Sequence, residues 1–167
     1  NNILMLAIKN NKKVAEELIK IHINNINERN SDQKSPLMIA IEKNNEAIVD
    51  LLLTQKAQVN IIDLRMETPL IKAIQVGNKH IVESLISHGA DINARGKWGR
   101  TPLMYAILKG NLNIIKLLIK HNPETNIKDE FGDTIWSLNS NTRDFRKKRK
   151  ILELLKDVDN RSTCLIS

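Results

Sequence analysis

A single cysteine, Cys164, stands in the 167 residues, so no disulfide can form within the chain and burial must hold the fold together. That agrees with a reducing compartment. No apolar run approaches the roughly 20 residues that a bilayer-crossing helix needs, and the first residues lack a basic segment followed by an apolar one. The expectation is a soluble chain of the cell interior. Aromatics are scarce, with two tryptophans, one tyrosine and two phenylalanines, so an aromatic outside the core pattern stands out. Patterns of catalysis are missing as well. There is no G-x-x-x-x-G-K phosphate loop, no H-E-x-x-H and no nucleophile elbow, and His22, His80, His88 and His121 lack metal-ligand spacing. No enzyme activity, cofactor, metal or small-molecule substrate is expected.

What is present is enough apolar content, 41%, to bury a core, together with a net charge of +7. The charge is local. Arg143, Arg146, Lys147, Lys148, Arg149 and Lys150 face a single acid, Asp144, in one stretch, and the rest of the chain is nearly balanced. A generally basic surface for nucleic acid is therefore not expected. Heavy use of Asn, Lys and Ile matches the codons of an AT-rich genome, such as that of an intracellular bacterium, a large virus or a protist.

Only four prolines occur, and three of them, Pro36, Pro69 and Pro102, fall at steps of 33 residues within SPLMIAI, TPLIKAI and TPLMYAI. The same step relates Ala7, Ala40, Ala73 and Ala106, and Asn27, Asn60, Asn93 and Asn126. Each unit has a physical reading. Ser or Thr before Pro starts a helix, because the hydroxyl accepts from an orphan N–H and Pro gives up a donor that had no partner. Leu70, Ala73 and Ile74 then share one face, the small Ala letting a neighbouring helix approach. Gly77 and Gly110, or Asn10 and Asn44, supply a residue tolerant of left-handed geometry to end it. HIVESLIS and NIIKLLIK carry apolar residues at the spacing of a second helix, and HGADIN leads out into a turn-rich stretch. A helix pair of this size cannot bury its apolar face alone, so the units must stack.

The pattern D-x-x-G-x-T-P-L-x-x-A-x-x-x-G-N-x-x-I-V-x-L-L-x-x-G-A-D-I-N, seen in TPLMYAILKGNLNIIKLLI and HGADINARGKWGRTPL, resembles the ankyrin repeat from about Ile3 to about Val158. The resemblance implies an all-α solenoid of about five helix-turn-helix units with short β-turn or hairpin tips. The units fall at about 1–30, 31–63, 64–96, 97–129 and 130–158, with a tail over 159–167. Two departures stand out. The family's usual His after T-P-L is replaced by Met38, Ile71 and Met104, and about four residues are inserted between the helices of the fifth unit. Trp136 occupies a position where the family buries Leu, and is expected in the core.

The resemblance also implies a monomeric protein-binding scaffold that grips its partner with turn tips and first helices. The family's variable positions fall here on tip residues Asp32, Lys34, Leu64, Arg65, Glu67, Lys97, Trp98, Arg100, Glu130, Phe131 and Asp133, and on first-helix residues Glu42, Lys43, Lys72, Gln75, Tyr105, Leu108 and Lys109. Three of the five aromatics, Trp98, Tyr105 and Phe131, are in this set. Arg65, Glu67, Lys97, Trp98, Arg100, Tyr105, Lys109 and Phe131 are the expected partner-binding residues, because exposed aromatics beside Arg are the usual anchors of an interface. The competing reading is that each tip aromatic folds down over its own turn. Asn60, Asn93 and Asn126 read as turn formers, with hydroxylation in an animal cell as the alternative.

The basic stretch falls in the insertion of the fifth unit and has three readings: a solvated cap, a nuclear-import or nucleic-acid patch, and a membrane-surface patch over Arg146, Lys147, Lys148, Arg149 and Lys150. The tail bears on the choice. Cys164, Leu165, Ile166 and Ser167 match the C-a-a-X box, with Ser favouring farnesyl, provided that Ser167 is the terminal residue. One prenyl chain anchors weakly, and the basic stretch would supply the second signal on anionic lipid. The expectation is an adaptor at the cytosolic face of a membrane, in a host cell if the chain is a pathogen's effector. A recognition module of a larger enzyme or ubiquitin-ligase subunit, and a nuclear regulator, are the alternatives.

Overall fold

The computed structural model describes residues 3–21, 26–140 and 144–163, with the side chains of 140 and 157–163 outside that set. The described residues are all-α, with no strand among them. They divide into two compact units, Asn1–Asp91 and Ile92–Ser167, the division falling inside the third expected repeat and after its second helix. The first unit holds three helix pairs: α1 (Ile3–Asn10) with α2 (Lys12–Lys20), α3 (Pro36–Glu42) with α4 (Glu46–Thr54), and α5 (Pro69–Val76) with α6 (Lys79–Ser87). The second holds α7 (Pro102–Lys109) with α8 (Leu112–Lys120), and α9 (Ile135–Ser140) with α10 (Phe145–Thr163). Within the first unit α1, α3 and α5 pack in one row and α2, α4 and α6 in another; within the second, α7 packs on α9 and α8 on α10. Each unit is a short run of a repeat solenoid.

Local chemistry sets these boundaries. The hydroxyls of Ser35, Thr68 and Thr101 accept from the backbone N–H groups of Met38, Ile71 and Met104 at 3.3, 3.2 and 3.4 Å. Each such cap stabilises its helix by about 1 kcal/mol. Gly77 and Gly110 close α5 and α7 in left-handed geometry, and Asn44 takes the same geometry after α3. The next residue starts the second helix: Asn45, Asn78 and Asn111 accept from the N–H groups of Ile48, Ile81 and Ile114. Asn10 departs from expectation. It stays within α1, and Asn11 caps α2 directly, because the turn between these helices is one residue shorter and has no room for a left-handed residue.

The core follows the repeat. Ala40, Ala73 and Ala106 are fully buried where helices pack in rows, and Leu37, Leu70 and Leu103 fill the space beside them. The positions that depart from the family pattern, Met38, Ile71 and Met104, are also fully buried, so apolar packing occupies the place of a polar side chain. Three observations concern the last pair. Trp136 is only half-buried, because α9 turns Ile135 and Leu138 inward instead. The basic stretch, placed in the insertion of the fifth unit, is helical from Phe145: Asp144 Oδ1 accepts from the N–H groups of Arg146 and Lys147 at 3.0 and 3.1 Å and starts α10 there. That helix runs on to Thr163, beyond the expected end of the array at 158, since neither Gly nor Pro intervenes to stop it.

Candidate functional site

Ahead of α3, α5, α7 and α9 the chain makes a tight tip, closed by a backbone N–H reaching the carbonyl four residues on. The pairs are Asn30 to Lys34, Asp63 to Glu67, Gly96 to Arg100 and Asp129 to Asp133, at 2.9 to 3.1 Å. In three tips the first side chain locks the turn. Asn30 accepts from the N–H groups of Asp32 and Lys34, Asp63 from those of Arg65 and Glu67, and Asp129 from those of Phe131 and Asp133. Gly96 has no side chain to do this. Its tip is instead a single 3-10 turn over Lys97–Gly99 in which Trp98 takes φ 61°, unusual for a bulky residue.

Sequence chemistry elsewhere supports that geometry. Gly99 also has positive φ, and a Cβ there would lie 2.6 Å from Nη2 of Arg95, which itself donates to the Lys128 carbonyl at 2.8 Å. Tyr105, on α7, donates from its hydroxyl to the Lys97 carbonyl at 3.1 Å. At 8% exposure Tyr105 braces the tip from beneath and offers little surface of its own. The Trp98 carbonyl accepts from the Glu130 N–H at 2.9 Å, joining this tip to the next.

Arg100 lies at the centre of the resulting cluster. Its Nε donates to Asp129 Oδ2 at 3.0 Å, and its guanidinium sits 5.2 Å from the Trp98 ring centre and 5.7 Å from that of Phe131. Lys97 Nζ lies 4.3 Å from the Trp98 ring. These are cation–π distances. Asp129 is fully buried at its side chain. Burial alone would raise its pKa, but the hydrogen bonds from Arg100 and from the N–H groups of Asp133 and Phe131, with the Arg100 charge, hold the carboxyl below its ordinary value. The rings stay in water, with Trp98 40% and Phe131 65% exposed. Lys97 and Lys109 are exposed in the same unit.

The first unit carries a polar counterpart. Glu67 pairs with Lys72 and accepts from Gln75 Nε2 at 2.7 Å, while Glu42 accepts from Lys34 at 2.7 Å and lies 3.7 Å from Lys72. Burial pushes the Glu67 carboxyl up; the hydrogen bonds from Lys72 and Gln75, with the Lys72 and Arg65 charges, outweigh this and leave it below its ordinary value. Glu67 therefore ties its tip to α5. Arg65, by contrast, is exposed.

Periodic asparagines hold the turns in register, a role their spacing alone did not disclose. The Asn27, Asn60 and Asn93 side-chain oxygens accept from the N–H groups of Gln58, Asp91 and Glu124 at 2.8, 2.8 and 3.0 Å, each about one repeat further along. Asn60 also donates to the Gly89 carbonyl. In α10, Arg146, Lys147, Arg149 and Lys150 are exposed, Lys148 is half-buried, and Arg149 pairs with Glu153 at 3.2 Å. Cys164, the expected lipidation site, lies outside the described residues. Among the described residues no cluster of His, Cys, Asp and Glu could hold a metal ion, and no helix is long and apolar enough to cross a membrane.

Comparison with known proteins agrees with the repeat. A family model described as ankyrin repeats (3 copies) matches residues 1–63 and 48–129. No curated protein matches the chain.

Proposed function

The chain belongs to the ankyrin-repeat family, whose members are in general protein-binding modules, and from that premise we propose that it binds another protein through the tips ahead of α7 and α9. Trp98, Arg100 and Phe131 are the anchors, with Lys97 and Lys109 at the rim. One observation carries the proposal: two exposed rings lie within 5.2 and 5.7 Å of a guanidinium already fixed to Asp129. Holding an arginine in place before binding lowers the ordering cost of an interface, and Trp and Arg are the residues that most often dominate one. The test is affinity purification from cells followed by titration of the purified partner against native chain and Trp98→Ala/Phe131→Ala. A partner that binds both equally refutes the assignment.

A second reading concerns membranes and rests on α10. Four exposed basic side chains occupy the first turns of a helix, where cations oppose the helix dipole, and of the four Arg149 is offset by its pair with Glu153. Attraction to anionic lipid explains them, and in the finer form of the proposal farnesylation at Cys164 adds the hydrophobic anchor. That chemistry requires Ser167 to be the last residue. Delivery of the adaptor to the cytosolic membrane face of a host cell is the further step, supported by the AT-rich composition. Mass spectrometry of the chain expressed in a eukaryotic cell, with Cys164→Ser as comparison, tests the lipid; an unmodified Cys164 rejects it.

A further inference from the structure

Between α8 and α10 runs a groove of about 690 Å³, lined by Leu112, Asn113, Lys116, Lys150, Glu153, Leu154 and Lys156. The repeat register makes its charge unusual. In the first unit, Asp50 of α4 accepts from Ser84 of α6 and pairs with His80 at 2.9 Å, joining the two second helices by polar contacts. The residue in the Asp50 place on α8 is Lys116, and the residue in the His80 place on α10 is Lys150, where the repeat carries its insertion. A hydrogen-bonded pair has become a like-charged one. The groove's single carboxylate cannot correct this, because Glu153 is engaged by Arg149 at 3.2 Å. Lys116, Lys150 and Lys156 form no ion pair among the described residues.

Three exposed lysines line one concavity, and their mutual repulsion, screened by water, is relieved further when an anion binds among them. Compact, multiply charged anions answer several lysines at once, whereas a lone carboxylate is better matched by the planar fork of arginine, which the groove lacks. Leu112 and Leu154 add half-buried apolar surface beside the charges. We propose that the α8–α10 groove binds the phosphorylated headgroup of an anionic lipid, with Lys116, Lys150 and Lys156 around the phosphates and the two leucines against the apolar part. This rests on the membrane reading above and deepens it: Arg146 and Lys147 supply diffuse attraction to the surface, and the groove selects the headgroup.

The experiment uses the whole chain. Soluble inositol trisphosphate is titrated calorimetrically, and co-sedimentation is measured with phosphatidylcholine vesicles carrying either phosphatidylinositol bisphosphate or, at matched total charge, phosphatidylserine. Lys116→Glu/Lys156→Glu is compared with Lys79→Glu/Lys120→Glu, which changes charge equally outside the groove, and with Arg146→Ala/Lys147→Ala. The expected result is saturable binding of the trisphosphate, preference for the bisphosphate vesicles, and loss of both by at least about tenfold in the groove variant alone. Lys116→Glu by itself should also raise the thermal midpoint by about a degree or two, since it restores an attractive pair with Lys150. A structural role for Lys116 would lower the midpoint instead and overturn the proposal. So would equal losses in the groove and control variants, binding of the soluble trisphosphate with no preference for the bisphosphate vesicles, or capture of an acidic peptide in place of either phosphate probe. Vesicle binding lost only in Arg146→Ala/Lys147→Ala, without headgroup preference, keeps the diffuse membrane reading and removes the groove; no vesicle binding by the native chain removes both.

Discussion

Arg100 and Asp129 belong to successive tips and meet at 3.0 Å, the aspartate fully buried at its side chain and the arginine standing against two exposed rings. The same contact stabilises the second unit and presents its candidate surface. Arg100→Ala removes the cation from a buried carboxylate that keeps its bonds from the Phe131 and Asp133 N–H groups. The expected loss is about 2–3 kcal/mol in urea unfolding, with Arg100→Lys intermediate. An unchanged midpoint would show that the pair contributes nothing.

Asp129 and Glu67 both sit below their ordinary pKa values, about 3.9 and 4.3 for unfolded Asp and Glu. A depressed folded pKa gives stability that is complete above the unfolded value and disappears as pH falls through the folded one. Stability should therefore decline below about pH 4, and the Asp129 share of that decline should shrink in Arg100→Ala, where the backbone N–H bonds remain. His80 has the opposite sign. Its hydrogen bond to Asp50 raises its pKa, so its contribution is complete below about pH 6.5 and fades as pH rises through the folded value. His80→Gln should remove that slope near neutrality, as read from urea midpoints across pH.

Gly99 tests the tip. Alanine there must adopt φ +68° and push Arg95 from the Lys128 carbonyl. The guanidinium end of Arg95 is flexible and can yield, so the expected cost is about 1–2 kcal/mol, mostly backbone strain and the lost bond. The Trp98 fluorescence maximum should shift as the turn rearranges.

Asn60→Ala deletes two bonds between successive turns, to the Asp91 N–H and the Gly89 carbonyl. The expected loss is about 1–2 kcal/mol. Lys56→Gly should act the other way. Lys56 is exposed and carries φ 60°, where Gly89 stands at the corresponding place one repeat later, so relief of strain should raise the unfolding free energy by up to about 1 kcal/mol. A fall for Lys56→Gly would mean that unfolded-chain entropy outweighs the strain.

Much of the fold was legible because repeats place short-range signals at a fixed step. Thr68 before Pro69, and Gly77 before Asn78, can each be read without knowing what lies opposite. What stayed hidden depends on partners about 30 residues away, such as the bonds of Asn60 and Asn93 and the pairing of Arg100 with Asp129. The candidate site was legible as residue types, and Trp98, Arg100 and Phe131 do come together. Their arrangement was not, because it follows from a missing side chain at Gly96 and a left-handed Trp98. Tyr105 shows the limit of variable positions as a guide: an aromatic on the right face of α7 uses its hydroxyl to support the tip. The basic stretch read as an insertion because Asp144, which starts α10, gives no stronger signal than any other surface acid.

The central claim is that the two exposed rings flanking Arg100 form the contact surface for a partner protein. The most direct measurement is calorimetric titration of the purified partner into native chain and into Trp98→Ala/Phe131→Ala, each shown by urea unfolding to keep the Arg100–Asp129 contribution to stability. The prediction is a loss of affinity of about 30-fold or more, the scale of an interface anchor. Equal affinity for the two proteins, at equal stability, would contradict it.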